Sequence, residues 1–358
     1  MMMSKKIEDF FRSDIDTLNE YKILDSKKMI KLDAMENPFD LNVNFEIKGL
    51  SSGSASLNRY PDAECENLRK KLHNKYKLSN KYDLIIGNGS DELIQLLCLA
   101  FLKKDNVILC PEPSFSMYKK ISQVLGLSFK GVPLLKDFSL DIKLMLIKIE
   151  EFNPAIIFLA FPNNPTANLW SKKDIDLIIK KTNGIVVVDE AYGSFSGESF
   201  IDEIDNYENL LVMKTVSKIG LAGIRLGYLI GERNIIKNIN KLRLPFNINT
   251  LSQKISELSI ENNNYLEIQT KEIIRLKELL VYKMMNIDKI KVYESKTNFI
   301  LFKVLSGTAN DVFTSLLSEK ILIKNMNDTP GLENCLRVTV GSEKENNLFI
   351  QSLKNSII

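Results

Sequence analysis

A lysine flanked by small hydroxyl residues is the first feature with chemical content: Thr215-Val216-Ser217-Lys218, with Arg225 seven positions on in Leu221-Ala222-Gly223-Ile224-Arg225-Leu226-Gly227-Tyr228. An amine drawn partly out of water loses some of its preference for the charged form and becomes a usable nucleophile. The hydroxyls and the guanidinium together would hold a dianionic phosphate. Upstream, Val186-Val187-Val188-Asp189-Glu190-Ala191-Tyr192 sets a carboxylate directly after three valines. Those valines belong in a sheet interior, so Asp189 emerges at a strand's carboxyl end, half-buried and in need of a partner. A protonated heterocycle nitrogen would serve; a helix N-terminus capped by the aspartate is the plainer alternative.

Two more constellations share this character. Gly87-Asn88-Gly89-Ser90-Asp91-Glu92 lies between a strand and an apolar-periodic helix. Its glycines permit a tight turn, and Ser90 or Asp91 can cap the helix, whose first amides make a phosphate site. The run is neither a Walker loop nor a dinucleotide fingerprint, and a capped turn would also explain it. Phe161-Pro162-Asn163-Asn164-Pro165-Thr166 follows a buried strand, putting Asn164 where open α/β sheets place ligands. A loop of turn-forming residues is the other reading.

The elements that must position these groups alternate. Short apolar or β-branched runs at Leu84–Ile86, Val107–Cys110, Ile156–Ala160, Ile185–Val188, Leu211–Lys214 and Tyr228–Ile230 are predicted strands. Helical stretches such as Asp91–Leu102, Ser114–Leu125 and Lys172–Lys181 lie between them, which predicts an α/β domain with a mostly parallel sheet. After Pro245 comes a long helical region over 249–286, then strand-like runs at Asn298–Val304, Ile321–Met326 and Leu336–Val340, flanked by helices near Ala309–Ser318 and Glu343–Lys354. This is a smaller α+β domain. The expected division is an arm and small-domain segment over 1–48 (a short helix near Ile7–Phe11, then extended chain), a large α/β domain over 49–248, and the α+β domain over 249–358.

Composition narrows the function. The 358 residues are 44% hydrophobic and 26% charged, the balance of a soluble globular chain with enough apolar material for two cores. A net charge of +3 without a dense basic patch argues against nucleic-acid or membrane-surface binding. The one histidine, His73, lies in a polar run, which makes a zinc site or a histidine-dependent hydrolase improbable. Cys65, Cys98, Cys110 and Cys335 are far apart, with no CxxC spacing. Without an apolar leader or a membrane-length run, the expected location is the cytoplasm.

Taken in order, GNGSDE, PNNPT, VVVDEAY, TVSK and AGIRLGY resemble the fold-type I pyridoxal-phosphate aminotransferases (class II), and among them the histidinol-phosphate branch. The likeness runs from about Lys31 to Glu345 and includes KLDAMENP at 31–38, NRYPD at 58–62, PSFSMY at 113–118, TNFIL at 297–301 and LRVTVG at 336–341. It implies a large, seven-stranded type of sheet and pyridoxal 5′-phosphate (PLP) carried as a Schiff base on Lys218. By the same resemblance, Asp189 would hold the protonated ring nitrogen, Asn164 and Tyr192 the phenolic oxygen, and Phe115 would stack on the ring. Ser90 and Asp91 amides with Thr215, Ser217 and Arg225 would hold the phosphate, joined by Tyr60 from the other subunit of a homodimer. Arg337, Lys324, Asn37 and the partner arm's Tyr21 would bind substrate.

Two positions depart from the family pattern. Ala167 stands for the glycine that completes PNNPTG, an exchange expected to shift the loop slightly. Lys324 replaces an arginine found in many members, keeping the charge but not the bidentate fork; one branch of the family carries Lys-Asn at this place. The implied reaction is transamination of histidinol phosphate with 2-oxoglutarate, giving imidazole-acetol phosphate and glutamate, in histidine biosynthesis. A decarboxylase of phosphorylated amino acids, an aromatic aminotransferase, or a non-catalytic PLP-binding regulator are the other readings.

Overall fold

The structure, a computed structural model, describes residues 7–18, 20, 24–40, 57–261 and 264–357. Its centre is a seven-stranded sheet, six of whose strands follow from their composition. In chain order the first elements are β1 (Ile30–Lys31), α1 (Glu66–Lys75), β2 (Tyr82–Asn88), α2 (Ser90–Ala100), β3 (Val107–Glu112), α3 (Ser116–Val124) and β4 (Ser128–Pro133). Then come α4 (Ile142–Phe152), β5 (Ile156–Ala160), α5 (Lys172–Lys181), β6 (Ile185–Asp189), α6 (Gly193–Ser196), β7 (Leu210–Thr215), β8 (Leu226–Glu232) and α7 (Arg233–Asn240). The spatial order is β2-β8-β7-β6-β5-β3-β4. Pairs β3–β4, β3–β5, β5–β6 and β6–β7 are parallel, while β8 runs antiparallel to both β2 and β7. The mostly parallel sheet expected from the sequence is therefore present. Every residue of β5 and β6 is buried, because helices cover both faces and leave no polar side to the strand.

Strand ends mostly extend the apolar runs by a residue or two, and three strands escape the list drawn from the sequence, the two-residue β1 among them. β4, Ser-Phe-Lys-Gly-Val-Pro, is an edge strand exposed along most of its length, so no apolar run marks it. β9 (Ile290–Val292) is only three residues long.

The helical region over 249–286 contains two helices, α8 (Thr250–Glu261) and α9 (Asn264–Met285). Beyond it, β10 (Phe299–Val304), α10 (Ala309–Ser318), β11 (Ile321–Leu322), β12 (Lys324–Asn325), β13 (Cys335–Thr339) and α11 (Glu343–Ser356) complete the chain. The run Ile321–Met326 is not one strand. β11 pairs with β1, whereas β12 joins a four-stranded antiparallel sheet ordered β12-β13-β10-β9. Caps delimit the helices here: Thr308 accepts from the Asp311 amide, and Ser342 with Glu345 forms a capping box. Near the start of the chain, the helix expected at Ile7–Phe11 is a 3₁₀ turn over Ile7–Phe10.

A strap from the amino-terminal part crosses to this second sheet. Ile30 and Lys31 lie in parallel register with Ile321 and Leu322. The Leu32 amide donates to Leu322 O (2.7 Å), the Thr339 amide to Leu32 O (2.8 Å), and the Met35 amide to Thr339 Oγ1 (3.0 Å). Asn298 Nδ2 then holds Met35 O at 2.9 Å. Met35 of the strap lines one cavity with Ala160, Asp189 and Thr215, the last residues of β5, β6 and β7.

Candidate active site

Asp189, the last residue of β6, and Thr215, the last of β7, open onto one cavity. Lys218 joins them because the chain turns sharply after β7, through a 3₁₀ turn over Ser217–Ile219 and Gly220 at φ +124°. Its amine sits 3.5 Å from Ala34 O of the strap and 5.7 Å from the centre of the Tyr192 ring. Burial, reinforced by the nearby Arg337 charge, holds the amine down to about 8. Such an amine is neutral in a useful fraction near neutral pH.

The lining of this cavity contains ten of the residues singled out from the sequence: Ser90, Asp91, Phe115, Asn164 and Asp189 on one count, Tyr192, Thr215, Ser217, Lys218 and Arg225 on the other. No side chain caps α2; its N-cap is Gly89 at φ +83°, not Ser90 or Asp91. The first amides of the helix are thereby left to face the cavity. A Cβ at Gly227 would lie 2.7 Å from the Ser90 amide, so backbone approach requires that glycine, while Gly89 is favoured by its φ of +83° and would set a Cβ 2.5 Å from Arg225 Nη2. Arg225 reaches back to Asp91 at 3.0 Å. Thr215 Oγ1 and Ser217 Oγ are 2.8 Å apart. Helix amides, two hydroxyls and a guanidinium gather at one end.

At the centre, Asp189 is buried, and desolvation pushes its carboxyl up to about 6. Asn164 Nδ2 donates to Tyr192 Oη at 3.3 Å, and burial pushes that phenol upward. Arg337, in β13, donates to Asn164 Oδ1 at 2.5 Å and to Asp33 O at 3.0 Å, with its guanidinium 5.1 Å from the Phe299 ring centre. Lys324 in β12 lies opposite Arg337 in the register, so both project from one face of the small sheet.

The remaining residues are elsewhere. Asn37 stands beside the Lys218 turn, but its amide is engaged by protein: it donates to Ile219 O (3.1 Å) and Gln269 Oε1 (2.8 Å) and accepts from the Phe39 amide (2.8 Å). Tyr60 is 80% exposed and stacks on Phe246 at 4.6 Å, away from the cavity lining of its own chain. Tyr21 lies outside the described residues. Ala167 itself adopts φ +66° while fully buried, a conformation that glycine reaches without cost and alanine does not. Among the lining residues with no role assigned from the sequence are Met35 of the strap, and Tyr118, whose hydroxyl bonds Asp189 at 2.6 Å. Tyr118 carried a signal, since it follows Phe115 by three positions and shares its helix face.

Among the described residues no group of three or more potential metal ligands occurs, and no helix is long and apolar enough to cross a membrane.

This fold and this site define a class: residues 27–353 match the family of class I and II aminotransferases, and the chain belongs to it. The fold is the fold-type I arrangement, with a large seven-stranded sheet and a smaller carboxy-terminal one. At the level of individual proteins, the chain is 42% identical over 355 residues to histidinol-phosphate aminotransferase 2 of Nitrosococcus oceani, covering 99% of each. The crystal structure of the histidinol-phosphate aminotransferase of Clostridium acetobutylicum superposes with a TM-score of 0.84 at 26% identity, over 91% of this chain and 98% of that one. A Sinorhizobium meliloti histidinol-phosphate aminotransferase solved with pyridoxal 5′-phosphate shares the fold, with a TM-score of 0.87 at 19% identity over 99% of each chain.

The residues present fit PLP. An amine depressed to about 8, a buried carboxylate, an aromatic face at Phe115 and a cluster of anion-binding donors occupy the same cavity.

Proposed function

We propose that this protein transaminates histidinol phosphate with 2-oxoglutarate, forming imidazole-acetol phosphate and glutamate, as a step of histidine biosynthesis. Identity of 42% to a histidinol-phosphate aminotransferase across 99% of both chains carries the reading. The cofactor's part is to withdraw electrons from the substrate's Cα when bound. Lys218 would hold the cofactor covalently and then, as a neutral amine, take the Cα proton and return it on the far side of the exchange. Asp189 would keep the cofactor's ring nitrogen protonated, and Asn164 with Tyr192 would orient its phenolic oxygen. Phe115 would stack on the ring.

The phosphate would sit at the amino end of α2, held by the Ser90 and Asp91 amides, Thr215, Ser217 and Arg225. Arg337 would receive the carboxylate of glutamate or the phosphate of histidinol phosphate, with Lys324 adding charge beside it. Its present bonds to Asn164 and Asp33 O would yield to such an anion. We further propose a cytoplasmic homodimer. Tyr60, exposed near Leu57 and Phe246, would reach the partner's phosphate site, and Tyr21 the partner's substrate. The divisions at 1–48, 49–248 and 249–358 are kept as the proposed domains.

The test is a half-reaction on the PLP-loaded protein. Added histidinol phosphate should abolish the absorbance band of the lysine-bound cofactor and release the keto phosphate, and 2-oxoglutarate should restore the band. A response to an aromatic amino acid or another phosphorylated amine, with none to histidinol phosphate, would sink the substrate assignment.

A further inference from the structure

Helix α3 enters the cavity twice, through its N-cap Phe115 and, one turn on, through Tyr118. Tyr118 is fully buried, and its ring is held from two sides. It lies flat against Phe158 of β5 (centroids 4.6 Å apart, 5° between planes) and edge-on to Phe115 (5.4 Å, 86°). With the ring fixed, the hydroxyl has one place to point, and it donates to Asp189 Oδ2 at 2.6 Å. The other oxygen, Oδ1, accepts from the Ala191 amide at 3.0 Å. One donor on each oxygen fixes the plane of the carboxylate and leaves its remaining lone pairs toward the cavity.

We propose that Tyr118 is the positioning residue for Asp189: its hydroxyl keeps the carboxylate ionised and aimed at the cofactor's ring nitrogen, and thereby sets the pH range in which the protein holds its cofactor. This rests on the PLP reading given above. Burial pushes Asp189 up to about 6, and the Tyr118 hydrogen bond is the largest influence pulling it back. The phenol keeps its own proton, since burial and the adjacent carboxylate push it well above its ordinary range. Donor and acceptor are therefore not interchangeable.

The surrounding charges do not replace this bond. Asp91 in the first turn of α2 and Glu190 beside Asp189 both act with burial against ionisation. Each is already paired, Asp91 with Arg225 and Glu190 with Lys214. Tyr192 is held neutral by burial, and Lys218 faces the same cavity. Among the described residues, Tyr118 and the Ala191 amide are the donors to the Asp189 carboxylate.

The experiment measures the dissociation constant for pyridoxal 5′-phosphate by absorbance titration of cofactor-free protein from pH 5 to pH 8. Wild type, Tyr118→Phe, Asp189→Asn and the double variant are compared. Phenylalanine keeps the ring stack and removes only the donor. The pH below which affinity falls should rise by about one to two pH units in Tyr118→Phe, the usual strength of a hydrogen bond to a charged group. In the Asp189→Asn background the same change should leave affinity within about twofold. An unchanged pH dependence in Tyr118→Phe overturns the proposal, as does an equal loss of affinity with and without the Asp189 carboxylate. Should Tyr118→Phe not fold, 3-fluorotyrosine at position 118, a stronger donor of nearly the same size, should move the fall-off to lower pH; no movement, or movement upward, overturns it. Wild-type protein that takes up no cofactor overturns the PLP reading as well, so the two failures are distinct.

Discussion

Replacing Lys218 with methionine should stabilise the cofactor-free protein, and the pH at which it does so tests the electrostatics of the site. The amine is held down to about 8 from its ordinary 10.5, chiefly by burial and next by Arg337. At about 1.4 kcal/mol per pH unit, keeping it protonated in the folded chain at pH 7 costs about 3 kcal/mol relative to the unfolded chain. That figure is a ceiling, because the amine opens onto a cavity where water shares its charge.

The sign follows from the folded value lying below the unfolded one. The penalty is full below pH 8, shrinks as pH rises, and is gone above 10.5. Methionine carries no charge and keeps an unbranched stem. Lys218→Met should therefore melt higher than wild type at pH 7 by up to about 4 °C for a chain of this length. At pH 9.5 the charge-dependent part of the gain should fall to about 1 kcal/mol. Scanning calorimetry of both cofactor-free proteins at the two pH values reads this directly. A variant no more stable than wild type at pH 7, or one whose gain is the same at both pH values, would refute the claim that the folded protein holds this amine against its preference.

Other substitutions probe the walls of the site. Gly89→Ala meets both a φ of +83° and the Arg225 guanidinium, so it should cost about 1 kcal/mol in stability and weaken PLP binding at least about tenfold by absorbance titration. Glu190→Gln leaves Lys214 buried without its charge partner, and urea unfolding at pH 7 should show a loss of about 3 kcal/mol. Lys324→Arg supplies the bidentate fork beside Arg337, and KM for histidinol phosphate should fall about fivefold with kcat little changed.

The parts of this molecule most legible in the sequence are those whose residues have one physical option. Ile156–Ala160 and Ile185–Val188 are strands because uninterrupted apolar and β-branched runs of that length must be covered on both faces. Asn164, Asp189 and Thr215 were legible for a related reason, since they stand at or just beyond the ends of the parallel strands β5, β6 and β7; Phe115 was marked only by the family resemblance.

What could not be read depends on partners far away in the chain. β4 is a strand through pairing with β3, not through its own composition. The run Ile321–Met326 breaks because its halves find different partners, β1 and β13, and nothing local marks the change. Nothing local to Asn37, an expected substrate residue, marks its bonds to Ile219 O and Gln269 Oε1, 182 and 232 positions away. Capping of α2 was assigned to Ser90 or Asp91, whereas the approach of Arg225 and Gly227 leaves Gly89 at that position.

The strap has a consequence for how the protein is made. A ribosome releases Ile30–Met35 long before their partners, since Asn298 and Thr339 follow Met35 by 263 and 304 positions. The seven strands of the large sheet are all synthesised by Glu232 and can pair while translation continues. The strap, by contrast, must wait beside a finished sheet until the second sheet exists. Lys218 and Asp189 are thus both in the chain before the partners that hold the strap have been made.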